Sequence, residues 1–198
     1  MTFQVKASDR VTLVGQTGSG KTYLARRLCS GIARLLILDA KDELAGWGAA
    51  DLTAKNLRRL DRDEPFRLRW VPAPGETWRY EELFERAYYA GNMTVYIDEL
   101  TDAVPHGMRA GTYLTSLYQR GRSLGVGVFA CTQRPAWVPL VCLSEAQGLF
   151  MFRLRLENDR RRMAEMIGPA ALEPIRDDHG FYVTHQTWSQ PRYYRRVT

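Results

Sequence analysis

The sequence predicts an α/β fold in which a mostly parallel central sheet is flanked by helices. Short apolar runs alternate with longer amphipathic segments, the rhythm of repeated βα units. A glycine-rich turn then joins the first such run to the first helical segment. Runs with little polar alternation, such as LLILD at 35–39, suit strands covered on both faces.

Taken in order, strands are expected at 11–15, 35–39, 66–71, 93–98, 125–131, 148–154 and 180–184, and helices at about 20–30, 80–90, 108–124 and 157–167. The third helix can be checked by spacing. Leu114, Leu117, Tyr118, Gly121 and Leu124 form one apolar stripe at near-helical intervals, with Arg120 and Arg122 flanking it on opposite sides. Prolines at 65, 72, 74, 135 and 139 punctuate connections. No repeat or flexible linker interrupts the chain, so 1–198 reads as one domain ending in a basic segment at 186–198.

With 198 residues, 45% hydrophobic and 25% charged, the chain can bury a substantial core. No apolar run approaches the roughly 18 residues that span a bilayer, and the first residues lack a signal-peptide pattern. A soluble, cytoplasmic protein is expected. Cys29, Cys131 and Cys142 are odd in number and widely spaced, which excludes a disulfide framework or a zinc pattern. The net charge of +6 favours an acidic polymer as partner, because lysines and arginines gain affinity by displacing phosphate counterions.

Gly15, Gln16, Thr17, Gly18, Ser19, Gly20, Lys21 and Thr22 match G-x-x-x-x-G-K-[ST] between the first strand and first helix. Glycines let the backbone wrap a phosphate with its N–H groups turned inward, and the helix N-terminus adds positive potential. Lys21 is expected on the β- and γ-phosphates of ATP, and Thr22 on Mg²⁺. The strand MTVYI ends in Asp98 and Glu99. Asp98 suits Mg²⁺ through water, and Glu99 suits a base that polarises the attacking water. Gln133, after the strand VGVFAC, is a candidate γ-phosphate sensor, since ligands of such sheets bind at the carboxyl ends of strands.

Four segments together resemble the FtsK/HerA superfamily of ring-shaped DNA-pumping ATPases: GQTGSGKT, LILDAKDE at 36–43, VYIDE, and YQRGRSLGVGVFACTQRP at 118–135. A later segment, 148–168, is similar to that family's closing strand and arginine-containing helix. The resemblance implies a RecA-like P-loop core, a homo-oligomeric ring, usually a hexamer, and ATP at subunit interfaces with double-stranded DNA in the channel. It also implies an arginine finger donated in trans, which falls by position on Arg122, with Arg120 as rival.

The chain lacks the length for the membrane and winged domains of FtsK-type proteins or the barrel of HerA. A bare core of this size resembles the genome-packaging ATPases of tailless, membrane-containing or archaeal viruses. Expected partners are then DNA and a virion portal or membrane protein, in the host cytoplasm or on the virion. The alternatives are a host HerA-like DNA-processing core, a slow nucleotide-gated assembly switch, and a small-molecule kinase. The kinase reading leaves Glu99 and Gln133 without a task. Candidate DNA-facing segments are 101–111 with His106 and Arg109, 134–139 with Trp137, the arginines at 153, 155, 160, 161 and 162, and RYYRR at 192–196.

Overall fold

The computed structural model describes residues 4–104, 107 and 109–196. The strands β1 (Arg10–Val14), β2 (Arg34–Leu38), β3 (Ala50–Asp51), β4 (Phe66–Trp70), β5 (Thr94–Ile97), β6 (Gly127–Thr132), β7 (Gly148–Phe152), β8 (Phe181–His185) and β9 (Arg192–Tyr194) join in one sheet of order β3-β4-β2-β5-β6-β1-β7-β8-β9. Strands β1 to β7 are mutually parallel. β8 and β9 run antiparallel at one margin. The helices are α1 (Lys21–Cys29), α2 (Trp78–Ala90), α3 (Leu100–Ala103), α4 (Thr112–Arg120), α5 (Val141–Ser144) and α6 (Glu157–Ile167).

Apolar residues on consecutive positions of a strand necessarily face both sides of a sheet. In β2, Leu35 and Ile37 pack with Leu24, Ala25 and Cys29 of α1. Leu36 and Leu38 pack on the opposite face, in a core that includes Tyr80, Leu83 and Phe84 of α2 and Leu114 and Leu117 of α4. Both faces are therefore covered, as the strands' near-continuous hydrophobicity requires. The three cysteines are buried and free. No helix among the described residues is long and apolar enough to cross a membrane.

Several expectations are corrected. The helix expected at 108–124 is shorter: α4 ends at Arg120 and a 3₁₀ turn follows at Gly121–Leu124. Gly121 lies so close to the Val126 carbonyl that a Cβ would stand 2.8 Å from it. Gly125 has a left-handed φ of 69°, so the strand starts at Gly127 rather than at 125. Met108 lies outside the described residues, as does His106 of the candidate DNA segment. The segment expected as a basic tail is built into the sheet through β9, where Tyr194 stacks on Phe181 at 5.5 Å. β3, β9, α3 and α5 are too short to leave a periodic signal.

The strand order positions the site. β6 lies between β1 and β5, so the segments leaving these three strands emerge side by side at the carboxyl edge.

Candidate functional site

The turn at 15–22 links β1 to α1. Gly18 and Gly20 adopt left-handed φ values of 75° and 103°, which other residues reach only with strain. A Cβ on Gly15 would stand 2.7 Å from both Ser19 Oγ and Phe152 Cβ. Ser19 Oγ is buried without a hydrogen-bond partner among the described residues. α1 begins at Lys21 with no capping side chain and no acidic residue in its first turn. Its first N–H groups thus lack an internal partner, which is the electrostatic setting for an anion. Lys21 is only 7% exposed, and its Nζ donates to the Gln16 carbonyl at 3.0 Å. Burial lowers its pKa, with Glu99 and Asp98 among the groups acting in the opposite sense.

Asp98 and Glu99 follow β5 and are both buried. Tyr96 Oη donates to Asp98 Oδ1 at 3.2 Å. Burial raises the Asp98 pKa, and the charge of Lys41 opposes the shift. Glu99 Oε1 accepts from Thr101 Oγ1 at 3.0 Å and from the Thr101 N–H at 3.3 Å. Glu99 Oε2 accepts from the Gln133 N–H at 3.2 Å. Gln133 Oε1 in turn accepts from Thr17 Oγ1 at 2.8 Å. A continuous hydrogen-bonded path thus runs from the glycine-rich turn through Gln133 to Glu99.

One cavity of about 250 Å³ is lined by Lys21, Thr22, Asp98, Glu99 and Gln133 together with residues 17–20. The turn at 15–22 and the ends of β5 and β6 thus border the same cavity. Among the described residues there is no cluster of three or more His, Cys, Asp or Glu side chains suited to a metal. Mg²⁺ needs none, because it keeps waters and is held by one or two protein oxygens together with substrate phosphates. Thr22 and Asp98 fit such a site.

Arg120 and Arg122 stand elsewhere. Both are exposed at the turn leading into the amino end of β6, where the Asn92 N–H donates to the Leu124 carbonyl at 3.0 Å. They sit at the edge opposite the cavity of their own chain. The other basic candidates are mostly engaged within the chain. Arg134 pairs with Asp159 at 2.9 Å and covers Trp137 at 3.7 Å from the ring centre. Arg153, Arg161 and Arg162 pair with Asp178, Glu157 and Glu165. Arg160 binds the carbonyls of Leu154, Arg155 and Leu172, and Arg192 lies 4.1 Å from the Trp188 ring centre.

Sequence reasoning missed Lys41, Tyr96 and Thr101 in this site. Lys41 was signalled only by its place just past β2, whose adjacency to β5 the sequence does not announce. Tyr96 sits mid-strand among apolar residues, where a phenol passes for core.

Fold and site have the architecture of a P-loop NTPase core. The first similarity in structure is to the genome packaging NTPase B204 of Sulfolobus turreted icosahedral virus 2, solved with AMP: TM-score 0.80, 18% identity, covering 98% of this chain and 100% of that one. The fold also matches the pCW3 conjugation coupling protein TcpA, at TM-score 0.62 and 14% identity over 96% of this chain and 61% of that one. The cytoplasmic domain of the Thermomonospora curvata type VII secretion ATPase EccC matches at TM-score 0.65 and 13% identity, over 94% of this chain and 23% of that one. No protein-family model and no curated protein matches the chain. The resemblance drawn from the motifs holds at the level of fold.

Proposed function

We propose that this chain is an ATP-hydrolysing motor core of FtsK/HerA type that moves double-stranded DNA, in the manner of a viral or mobile-element packaging ATPase. The observation that carries the reading is the hydrogen-bonded path from Thr17 through Gln133 to Glu99, which ties a phosphate cradle to a buried carboxylate.

In this reading the turn at 15–22 and the start of α1 receive the phosphates, and Lys21 moves from the Gln16 carbonyl to the β- and γ-oxygens. Thr22 and Asp98 would hold Mg²⁺, which would supply charge neutralisation on those oxygens. Glu99 accepts the proton of a water whose oxygen bonds to the γ-phosphorus. The bond from that phosphorus to the bridging oxygen breaks, giving ADP and phosphate. Gln133 senses the γ-phosphate by donating from its side-chain amide nitrogen, while its side-chain oxygen accepts from Thr17 Oγ1.

A motor also needs coupling between subunits. Arg120 and Arg122 are too remote to serve their own cavity, so we assign Arg122, or Arg120 in its place, to a neighbouring chain's γ-phosphate in a homo-oligomeric ring. The fold shared over the full length of a packaging NTPase and the TQRP-containing run support DNA as the substrate. Recruitment by a virion portal or membrane protein, in the host cytoplasm, completes the proposal.

The test is steady-state ATP hydrolysis by purified protein with and without double-stranded DNA. DNA-stimulated turnover supports the motor. Turnover indifferent to DNA contradicts it, and phosphate transfer to a metabolite would make the protein a kinase.

A further inference from the structure

The segment LILDAKDE was singled out by sequence, yet no residue in it has a task in the chemistry above. Its structure is unusually constrained. Asp39, at the end of β2, is 0% exposed. Its carboxylate accepts from the Glu43 N–H at 3.1 Å, the Leu44 N–H at 2.9 Å and Arg69 Nη1 at 3.1 Å. Arg69 rises from β4 and also holds Asp42 at 2.6 Å and Asp51 at 2.8 Å. Asp42 has a left-handed φ of 56°, a conformation that residues other than glycine adopt only where the surrounding structure holds them in it. One arginine and one buried aspartate thus fix a tight turn.

The product of this turn is the position of Lys41. Its side chain is 35% exposed and its Nζ lies 4.0 Å from Glu99 Oε2, beyond hydrogen-bonding range. Glu99 gains little from it, because both carboxylate oxygens already accept shorter bonds from Thr101 and Gln133. The cavity lining contains three carboxylates, Glu43, Asp98 and Glu99, against only two cations, Lys21 and Lys41. A triphosphate entering that cavity meets a lining of net negative formal charge even with both lysines counted, so each of the two cations matters to it.

We propose that Lys41 is a second phosphate-binding cation, positioned by the Asp39–Arg69 turn to bind the terminal phosphate and so distinguish ATP from ADP. This deepens the ATPase reading and rests on it. Lys41 sits across the cavity from the glycine-rich turn, beside the carboxylate that handles the attacking water. Because Glu99 holds it only loosely, at 4.0 Å, the Lys41 ammonium is available to a γ-phosphate. Asp39 and Arg69 are positioning residues, since neither lines the cavity.

The experiment is equilibrium titration of the full chain with a non-hydrolysable ATP analogue and with ADP, for wild type and for Lys41→Met, Lys41→Arg and Lys21→Ala. A charge-assisted bond to phosphate is worth enough that Lys41→Met should weaken the triphosphate about tenfold more than ADP. Lys41→Arg should restore much of that selectivity. Lys41→Met binding both nucleotides in the wild-type ratio overturns the proposal while leaving the cradle intact, provided Lys21→Ala has lost affinity for both. Lys21→Ala binding as well as wild type would instead remove the P-loop reading, and the Lys41 proposal with it. Circular dichroism of each variant confirms that the ratios are read on folded protein.

Discussion

The two ends of the same parallel strands are built on different terms. At the amino edge, buried polar groups are matched at several points: Arg10 Nε donates to the Glu145 carbonyl at 3.0 Å, the Arg10 N–H to Gln147 Oε1 at 3.1 Å, and Thr94 Oγ1 to the Ala7 carbonyl at 2.7 Å, although Arg34 Nε is buried without a partner among the described residues. At the carboxyl edge, two adjacent carboxylates and a lysine are buried, Ser19 Oγ has no partner among the described residues, and left-handed backbone recurs at Gly18, Gly20 and Asp42. Left-handed backbone also occurs at the amino edge, at Asn92 and Gly125, so what sets the carboxyl edge apart is its adjacent buried carboxylates and lysine, which persist where a fold is shaped for something besides its own stability. The amino edge serves the fold. In the proposed function, the carboxyl edge serves a ligand.

The largest expected effect concerns the exception at the amino edge, the exposed Arg122. If it acts on a neighbour, Arg122→Ala should lower hydrolysis by about 10³–10⁵, the range for an arginine finger. Wild type mixed with increasing Arg122→Ala protein should lose activity faster than dilution predicts. Linear loss would return Arg122 to an ordinary surface role.

Next in size, Arg10→Ala should reduce unfolding free energy by about 1–3 kcal/mol, because the Glu145 carbonyl loses its donor. Turnover per folded molecule should be unchanged. A matched fall in kcat would break the division between the two edges.

The smallest effect has the opposite sign. Burial raises the Asp98 pKa, so the folded state favours its neutral form. That contribution to stability is present below the usual carboxylate range and is lost as pH rises through the raised value. Asp98→Asn should therefore unfold at a higher temperature than wild type at neutral pH, by about 2–4 °C for each kcal/mol relieved. The advantage should fade toward about pH 4, where both side chains are neutral. Differential scanning fluorimetry across pH measures it, and a variant less stable at every pH would contradict the sign.

Much of this was legible in the sequence, for identifiable reasons. The glycine-rich turn is local, so its spacing alone announced a phosphate cradle. Asp98, Glu99 and Gln133 were legible because each directly follows an apolar run, and strand ends of a parallel sheet share an edge. The contacts that organise the site were not. Thr17 to Gln133, Lys41 to Glu99 and Arg69 to Asp39 join residues 116, 58 and 30 positions apart, and depend on a strand order that periodicity does not encode. The short elements β3 and β9 were missed for want of enough residues to show a period. The helix at 112–120 was overestimated because the apolar stripe continues through Gly121 into a tighter turn.

The central claim is that Glu99 performs the hydrolytic step in a cavity that binds ATP without it. Its most direct test incubates Glu99→Gln protein with radiolabelled ATP and Mg²⁺, then isolates the protein and identifies the retained nucleotide. The account requires intact ATP on the variant and ADP on wild type, with turnover lower by about 10²–10⁴ as for loss of a general base. Cleavage by the variant at the wild-type rate would contradict it.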